Sequence, residues 1–271
     1  MKVRIGVSLG SAGTPEAFAD AVDLLEQARV DSLWLPENVY SPLVEPFTGL
    51  AFALSRTRRL KAGSGISVLP GRHPVLVAKQ LASLAGLAPG RVLPVFGLLP
   101  ANPAERVLFG VPDASVGALP AKPLDLWLGG SAPAGLRRVG RLADGWLGSL
   151  LTPAEAGAAV AVIQEAAAEA RREVEPDHFG LSLPVTLAGI GSGSGPGSEQ
   201  GIPPALSASI RRRRPDTDPA TLVAAGWDGA RRMIGQYVEA GVSKFVVRPA
   251  GPGPFGPFMD GFVRELMPLQ N

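Results

Sequence analysis

The sequence predicts an α/β protein, a single (β/α)8 TIM barrel domain spanning residues 1–271. Two observations carry this expectation. Short apolar strand patterns and amphipathic helix patterns alternate through a chain of 271 residues, giving eight strands in about the length such a barrel takes. The 34 glycines and 27 prolines supply the tight turns that so many reversals need. A doubly wound open sheet is the competing arrangement.

Val3 to Leu9 forms the first strand, stopped by Gly10 and Gly13. Thr14-Pro15-Glu16 opens a helix with a hydroxyl cap, a proline where the N–H has no partner, and a carboxylate at the positive end of the dipole. Phe18, Ala21, Val22 and Leu25 then recur on one buried face. Ser32 to Pro36 is the second strand and Pro46 to Arg58 the second helix. Leu60 to Leu69 is the third strand, with Gly63 and Gly65 inside it. A helix starts at His73-Pro74 and runs through Ala85, and Val92 to Gly97 is the fourth strand. Leu124 to Leu128 is the fifth strand, Ala132 to Ala143 a helix, and Gly145 to Ser149 the sixth strand. Thr152-Pro153-Ala154-Glu155 reads as a capping box, followed by an apolar face of Ala156, Ala159, Val160 and Ile163. Phe179 to Ala188 is the seventh strand, and helices at Pro219–Ala224 and Asp228–Ala240 lead to the eighth, Lys244 to Val247. A helix near Phe258 to Leu266 closes the chain.

Two stretches break the rhythm. Gly189 to Gly201 has no apolar period and reads as a mobile Gly/Ser-rich loop. Leu98 to Pro123 must carry the chain from the fourth strand to the fifth, yet it offers only a short helical pattern, Pro103 to Phe109.

Composition removes several function classes. With 46% hydrophobic residues the chain is globular, and no run of 18 apolar residues free of charges and breaks predicts a membrane span. Met1 to Val7 enters a strand with no apolar leader, so a cytoplasmic protein is expected. The absence of cysteine excludes disulfides, thiolate catalysis and cysteine zinc sites. His73 and His178 lie too far apart in sequence to suggest a metal cage. Twenty-six basic residues against 24 acidic ones give no strong field for nucleic acid, despite a sequence pI near 9.2. G-x-S-x-G, Walker, G-x-G-x-x-G and H-E-x-x-H motifs are all missing.

Four segments carry the candidate chemistry. Arg211 to Arg214 reads as a solvated charge run between a loop and a cap, with an anion or partner contact as the sharper alternative. Gly129-Gly130-Ser131-Ala132 follows a strand and opens a helix, which points free N–H groups at an anion, or is simply a glycine turn with a serine cap. Glu37-Asn38 ends the second strand at the face where barrel sites lie, although such a pair is also ordinary loop. Gly63 to Pro70, then Arg72-His73-Pro74, places two glycines in a buried strand, as a bulge or a close ligand approach requires. His73 is equally suited to cap the next helix.

Together these segments resemble the luciferase-like monooxygenase superfamily, in particular its branch of deazaflavin-dependent (coenzyme F420) oxidoreductases. The likeness is carried by Asp31 to Leu35, Leu60 to Pro70 with Arg72 to Lys79, Leu126 to Gly130, and Ala143 to Trp146, and it runs from Met1 to about Arg248. It implies a bacterial-luciferase-like barrel with a planar tricyclic cofactor at the carboxyl ends of the strands. It further implies a bulged third strand with a non-proline cis peptide at Gly65–Ile66, and a cofactor site that includes Ser67. Arg72, His73 and Lys79 match a segment that lines or supports that site, and Gly97 and Gly129 match strand ends around it. The cofactor phosphate is expected on Gly130, Ser131 and Ala132. Where several relatives carry a histidine after the second strand this chain has Asn38, and where they carry a glutamate after the fourth it has Gly97-Leu98-Leu99-Pro100. Asn38 can orient substrate or ring but cannot shuttle a proton near neutral pH. Glu37 would hold the strand end or the ring edge. Relatives also carry roughly fifty further residues near Val111-Pro112, so a segment missing between Pro112 and Asp113 is expected. The implied activity is hydride transfer between reduced F420 and a small organic substrate, in a homodimer. An FMN-dependent monooxygenase and a non-catalytic cofactor-binding barrel are the alternatives.

Overall fold

Helix starts in this chain are fixed by local chemistry. The computed structural model describes residues 1–10, 14–37, 43–97, 124–187, 201–251 and 253–271. Strand β1 (Arg4–Ser8) leads to helix α1 (Pro15–Gln27), whose cap is the Thr14 hydroxyl accepting from the Ala17 N–H at 3.2 Å. Then come β2 (Ser32–Leu35), α2 (Pro46–Arg56), β3 (Lys61–Ser64), β4 (Ser67–Val68), α3 (Pro74–Leu87), β5 (Val92–Leu93) and β6 (Val95–Gly97). The second half holds β7 (Trp127–Gly129), α4 (Pro133–Leu142), β8 (Gly145–Ser149) and α5 (Pro153–Glu169). The Thr152–Glu155 capping box opens α5 as the sequence predicts, with both reciprocal bonds made. β9 (Phe179–Thr186), α6 (Pro204–Arg213), β10 (Ala224–Ala225), α7 (Gly226–Glu239), β11 (Lys244–Pro249) and α8 (Phe255–Glu265) complete the described strands and α-helices.

The strand pairings close a barrel. All pairings are parallel, and they run β1–β2–β3–β5 on one side and β1–β11–β9–β8–β7–β6–β4 on the other. Because β3 and β4 are two halves of one stave, and β5 and β6 two halves of the next, the two ends of this path meet. The described strands therefore form eight staves, with β10 added alongside β9. Leu60–Leu69, which the sequence reads as one strand, is thus broken at Gly65–Ile66, and that peptide bond is cis.

Two packed layers result. A large core lies between sheet and helices, while Trp34, Val95, Trp127, Leu147 and Val246 fill the barrel interior. Below them, at the amino ends of the strands, Lys244 is 6% exposed and sits 3.3 Å from Asp31, which also takes Lys61 at 3.2 Å. Burial pushes the Asp31 carboxyl up, but the facing Lys244 and Lys61 outweigh it and hold it below the ordinary carboxylate range.

Two expectations need correction. The Arg211–Arg214 run does not lie between a loop and a cap: Arg211 to Arg213 form the exposed last turn of α6. Arg214 is half-buried, bound to the Leu150 carbonyl, the Glu155 carboxylate and the Thr217 hydroxyl. Helix α6 buries only Ile210 and begins at paired prolines, so no apolar period announces it. The helix expected at Pro219–Ala224 is a single 3-10 turn, Pro219–Thr221, followed by β10. Asn38, the Leu98–Pro123 crossing with its Pro112–Asp113 step, and residues 189–200 of the glycine-rich tract lie outside the described residues.

Removing Asp31 leaves Lys244 buried without its carboxylate. Asp31→Asn is expected to cost about 3–5 kcal/mol in denaturant unfolding at neutral pH. The wild-type contribution of this carboxylate is complete above its unfolded pKa of about 3.9 and is lost as pH falls through the lower folded value. The variant should therefore lose stability less steeply than wild type below about pH 4.

Candidate functional site

Side chains alternate along a strand, so residues two positions beyond the interior layer face the barrel mouth. Beyond Val95, Leu147 and Val246 these are Gly97, Ser149 and Arg248. Gly129 follows Trp127 in the same way. The mouth is thus lined mainly by small residues, over a floor made by Ile66.

The break in the third stave positions that floor. A methyl group on Gly97 would stand 2.6 Å from Ile66 Cδ1, and one on Gly129 would stand 3.0 Å from Ile66 Cγ2. The half-buried Ile66 side chain therefore lies across the ends of β6 and β7, and both glycines are needed for it to do so. Gly65 is half-buried above Trp34 and Leu147. Ser67 is fully buried, and its hydroxyl has no hydrogen-bond partner among the described residues.

Glu37 ties the end of β2 to this segment. Its N–H donates to the Ile66 carbonyl at 3.3 Å, and its carboxylate accepts from the Val68 N–H and from Arg72, each at 2.6 Å. Arg72 also donates to Glu45 at 2.9 Å and lies over the Phe47 ring, 5.0 Å from its centroid. Burial works to lower the Arg72 pKa, but the bonds to Glu37 and Glu45 raise it overall, so its charge is spoken for by two carboxylates. Of the alternatives for Glu37, holding the strand end is the one these bonds make. His73 stands exposed at the cap position of α3, and its side chain makes no capping bond.

The turn after β7 is open. Gly130 has φ +117°, a conformation that side chains strain to adopt, and the Trp146 indole donates to its carbonyl at 2.8 Å. Gly130 to Ala134 are exposed. The cap of α4 is Ala132 rather than Ser131, with extended backbone and no side-chain capping bond. The first N–H groups of α4 consequently have no capping side chain, and an anion is a fitting acceptor.

Two features escaped the sequence. An apolar cavity of about 320 Å³ opens beside the mouth among Leu9, Phe18, Leu35, Val44 and Phe52. Arg248, which the sequence marks only as the approximate end of the family likeness, faces the mouth. Glu175, Asp177 and His178 are spaced for a cation, but they precede β9 at the opposite end of the barrel.

The luciferase-like monooxygenase family model matches residues 1–118 and 108–189. The chain belongs to the luciferase-like monooxygenase family. The match divides within the same crossing that the sequence leaves short of a helix. An uncharacterized protein of Mycobacterium tuberculosis is 32% identical over 140 residues, covering 39% of this chain and 48% of that relative. The chain thus aligns with about half the length of the curated relative. In fold, this family member is similar to an F420-dependent secondary alcohol dehydrogenase solved with an F420–acetone adduct, with TM-score 0.79 and 17% identity over 100% of both chains. It is also similar to the oxygenating constituent of 3,6-diketocamphane monooxygenase from Pseudomonas putida, solved with FMN. That TM-score is 0.66 at 15% identity, over 100% of this chain and 98% of the other. At such identities the likeness is one of fold.

The contact of Ile66 with the glycine strand ends can be measured. Gly97→Ala is expected to cost about 1–3 kcal/mol in the wild-type background. It should cost far less in an Ile66→Ala background, where the blocking side chain is gone. A double-mutant cycle by urea unfolding reads this coupling.

Proposed function

We propose that this barrel is an oxidoreductase that moves a hydride between reduced deazaflavin coenzyme F420 and a small organic substrate at its mouth. The observation that carries the reading is the exposed, uncapped turn Gly130-Ser131-Ala132, whose N–H groups suit the cofactor phosphate. The Ile66 floor, seated in the space that Gly97 and Gly129 leave, gives a flat ring an apolar surface. When bound, the deazaflavin supplies the two-electron hydride carrier. The protein supplies orientation and exclusion of water. Glu37 is a positioning residue, since its carboxylate fixes the Val68 amide and Arg72 beside the Ile66 segment. Asn38 would orient substrate or ring by hydrogen bonds, so a proton needed by the product comes from elsewhere than this position. The apolar cavity beside β1 and β2 suits the nonpolar part of a substrate.

The family match and the FMN-bound fold relative favour a second reading, an FMN-dependent monooxygenase on the same cup and turn. A barrel that binds cofactor without turnover is the third.

Titrating the protein with F420 and with FMN decides between the first two, and an activity screen on the tight complex addresses the third. Ala132→Asp tests the phosphate turn. An aspartate at this uncapped position should stabilise α4 by about 0.5–2 kcal/mol. Its carboxylate would occupy the phosphate position, and cofactor affinity should fall at least about tenfold. A raised melting temperature with unchanged F420 affinity, or tighter binding of FMN, would overturn the F420 assignment.

A further inference from the structure

We propose that Arg248 recognises an anionic group, a carboxylate or a phosphate, on a molecule seated in the barrel mouth. The inference rests on the mouth being the working site, as argued above, and it adds a chemical class for what binds there.

Strand β11 carries two cations on its inward face, Lys244 and Arg248, with Val246 of the interior layer between them. Lys244 at the base is answered by Asp31. Arg248, two residues beyond Val246, stands about 7 Å further toward the mouth. Its guanidinium makes no hydrogen bond or ion pair with any described residue. It is nonetheless half-buried. Its fork of five donors is thus partly removed from water with no described residue to accept from it, which is costly unless a partner arrives. The charge nearest to influence it is of the same sign, Arg213 at the end of α6. Burial and that neighbour both work against the Arg248 cation and lower its pKa. An anion would relieve both.

The neighbouring strands supply no internal partner. Arg248 lies in register with Pro184 of β9, which has neither an N–H nor a polar side chain. On the other side the pairing Val7 with Val247 brings Ser8 alongside Arg248, and the Ser8 hydroxyl is suited to add a bond to the same anion. Arg213 provides a second positive charge. A planar carboxylate or a phosphate matches the fork bidentately. This position is on the eighth stave, whereas the open turn of α4 is on the fifth, so two anionic groups can be held at one mouth. The anion at Arg248 could belong to the substrate or to the acidic tail of the cofactor. The chemistry is shared and the test separates them.

The experiment compares wild type, Arg248→Met, Arg248→Lys and Ala132→Asp. Inorganic phosphate and acetate are the probes, read by the dose dependence of the melting temperature. Without probe, Arg248→Met should melt no lower than wild type, because it removes a desolvated charge that no described residue pairs. In the Ala132→Asp background, where the open turn of α4 is filled, the stabilising effect of phosphate or acetate should weaken at least about tenfold on Arg248→Met. It should be partly kept in Arg248→Lys, and it should persist in Ala132→Asp. F420 and its tail-less chromophore are then titrated by absorbance. If Arg248→Met weakens F420 but not the tail-less form, the anion is the cofactor tail. If F420 affinity is unchanged while the probe response is lost, the anion is the substrate's. Either result supports the site, even where the F420 reading itself fails through Ala132→Asp. A wild-type protein that responds to neither probe, an Arg248→Met that responds in the Ala132→Asp background as Ala132→Asp alone does, or an Arg248→Met that melts clearly lower would overturn the proposal.

Discussion

Between Ser64 and Ser67 the third stave passes its pairing from one half of the fourth stave to the other, and the rest of the mouth is arranged around that handover. β3 pairs with β5 and β4 with β6, so the two halves together close the ring. The residue set free at the step, Ile66, turns across the neighbouring strand ends, which is possible only because Gly97 and Gly129 carry no side chain. Glu37 secures the step from the other side, bonding to the Ile66 carbonyl, the Val68 amide and Arg72 at once. A barrel whose third strand ran unbroken would have no such floor.

Charge is distributed unequally along the barrel axis. At the base, Asp31 gathers Lys61 and Lys244, and a buried lysine is tolerated because a carboxylate faces it. On the rim, Arg72 is enclosed by Glu37 and Glu45 and belongs to the frame. At the mouth, Arg248 has no such answer among the described residues. Paired charges hold the ends of the barrel in shape, and the unanswered one is available to a ligand. The same contrast applies to the helix starts. Thr14 and Thr152 close the first turns of α1 and α5, while Ala132 leaves that of α4 open beside the mouth.

The fold was legible in the sequence wherever local signals and burial agree. Thr14-Pro15-Glu16 and Thr152-Pro153-Ala154-Glu155 start helices where expected, and the i, i+3, i+4 faces they begin are buried. Helix α6 was not legible: its residues are mainly polar or small, and its place depends on Ile210 joining a small satellite cluster with Ile202 and Leu222. The Arg211–Arg214 run looked uniform for the same reason. Only the packing separates the half-buried Arg214 from its neighbours.

For the site, the sequence by itself determined the glycines and the position of the bulge, because these need a particular residue type at a particular place; that the turn after the fifth stave is left uncapped was decided by the structure, which puts Ala132 rather than Ser131 at the cap. It could not assign Glu37 and Arg72 to each other or to the frame, since they are 35 residues apart and meet only when the staves close. It gave no reason to notice Arg248, because having no partner among the described residues is a property of surroundings rather than of residue type. The tertiary structure alone decided that Ile66 fills the space the glycines leave. It alone put one cation of β11 against a carboxylate and left the other facing the mouth, because the inward face of a strand acquires its partners only from the strands that come to lie around it.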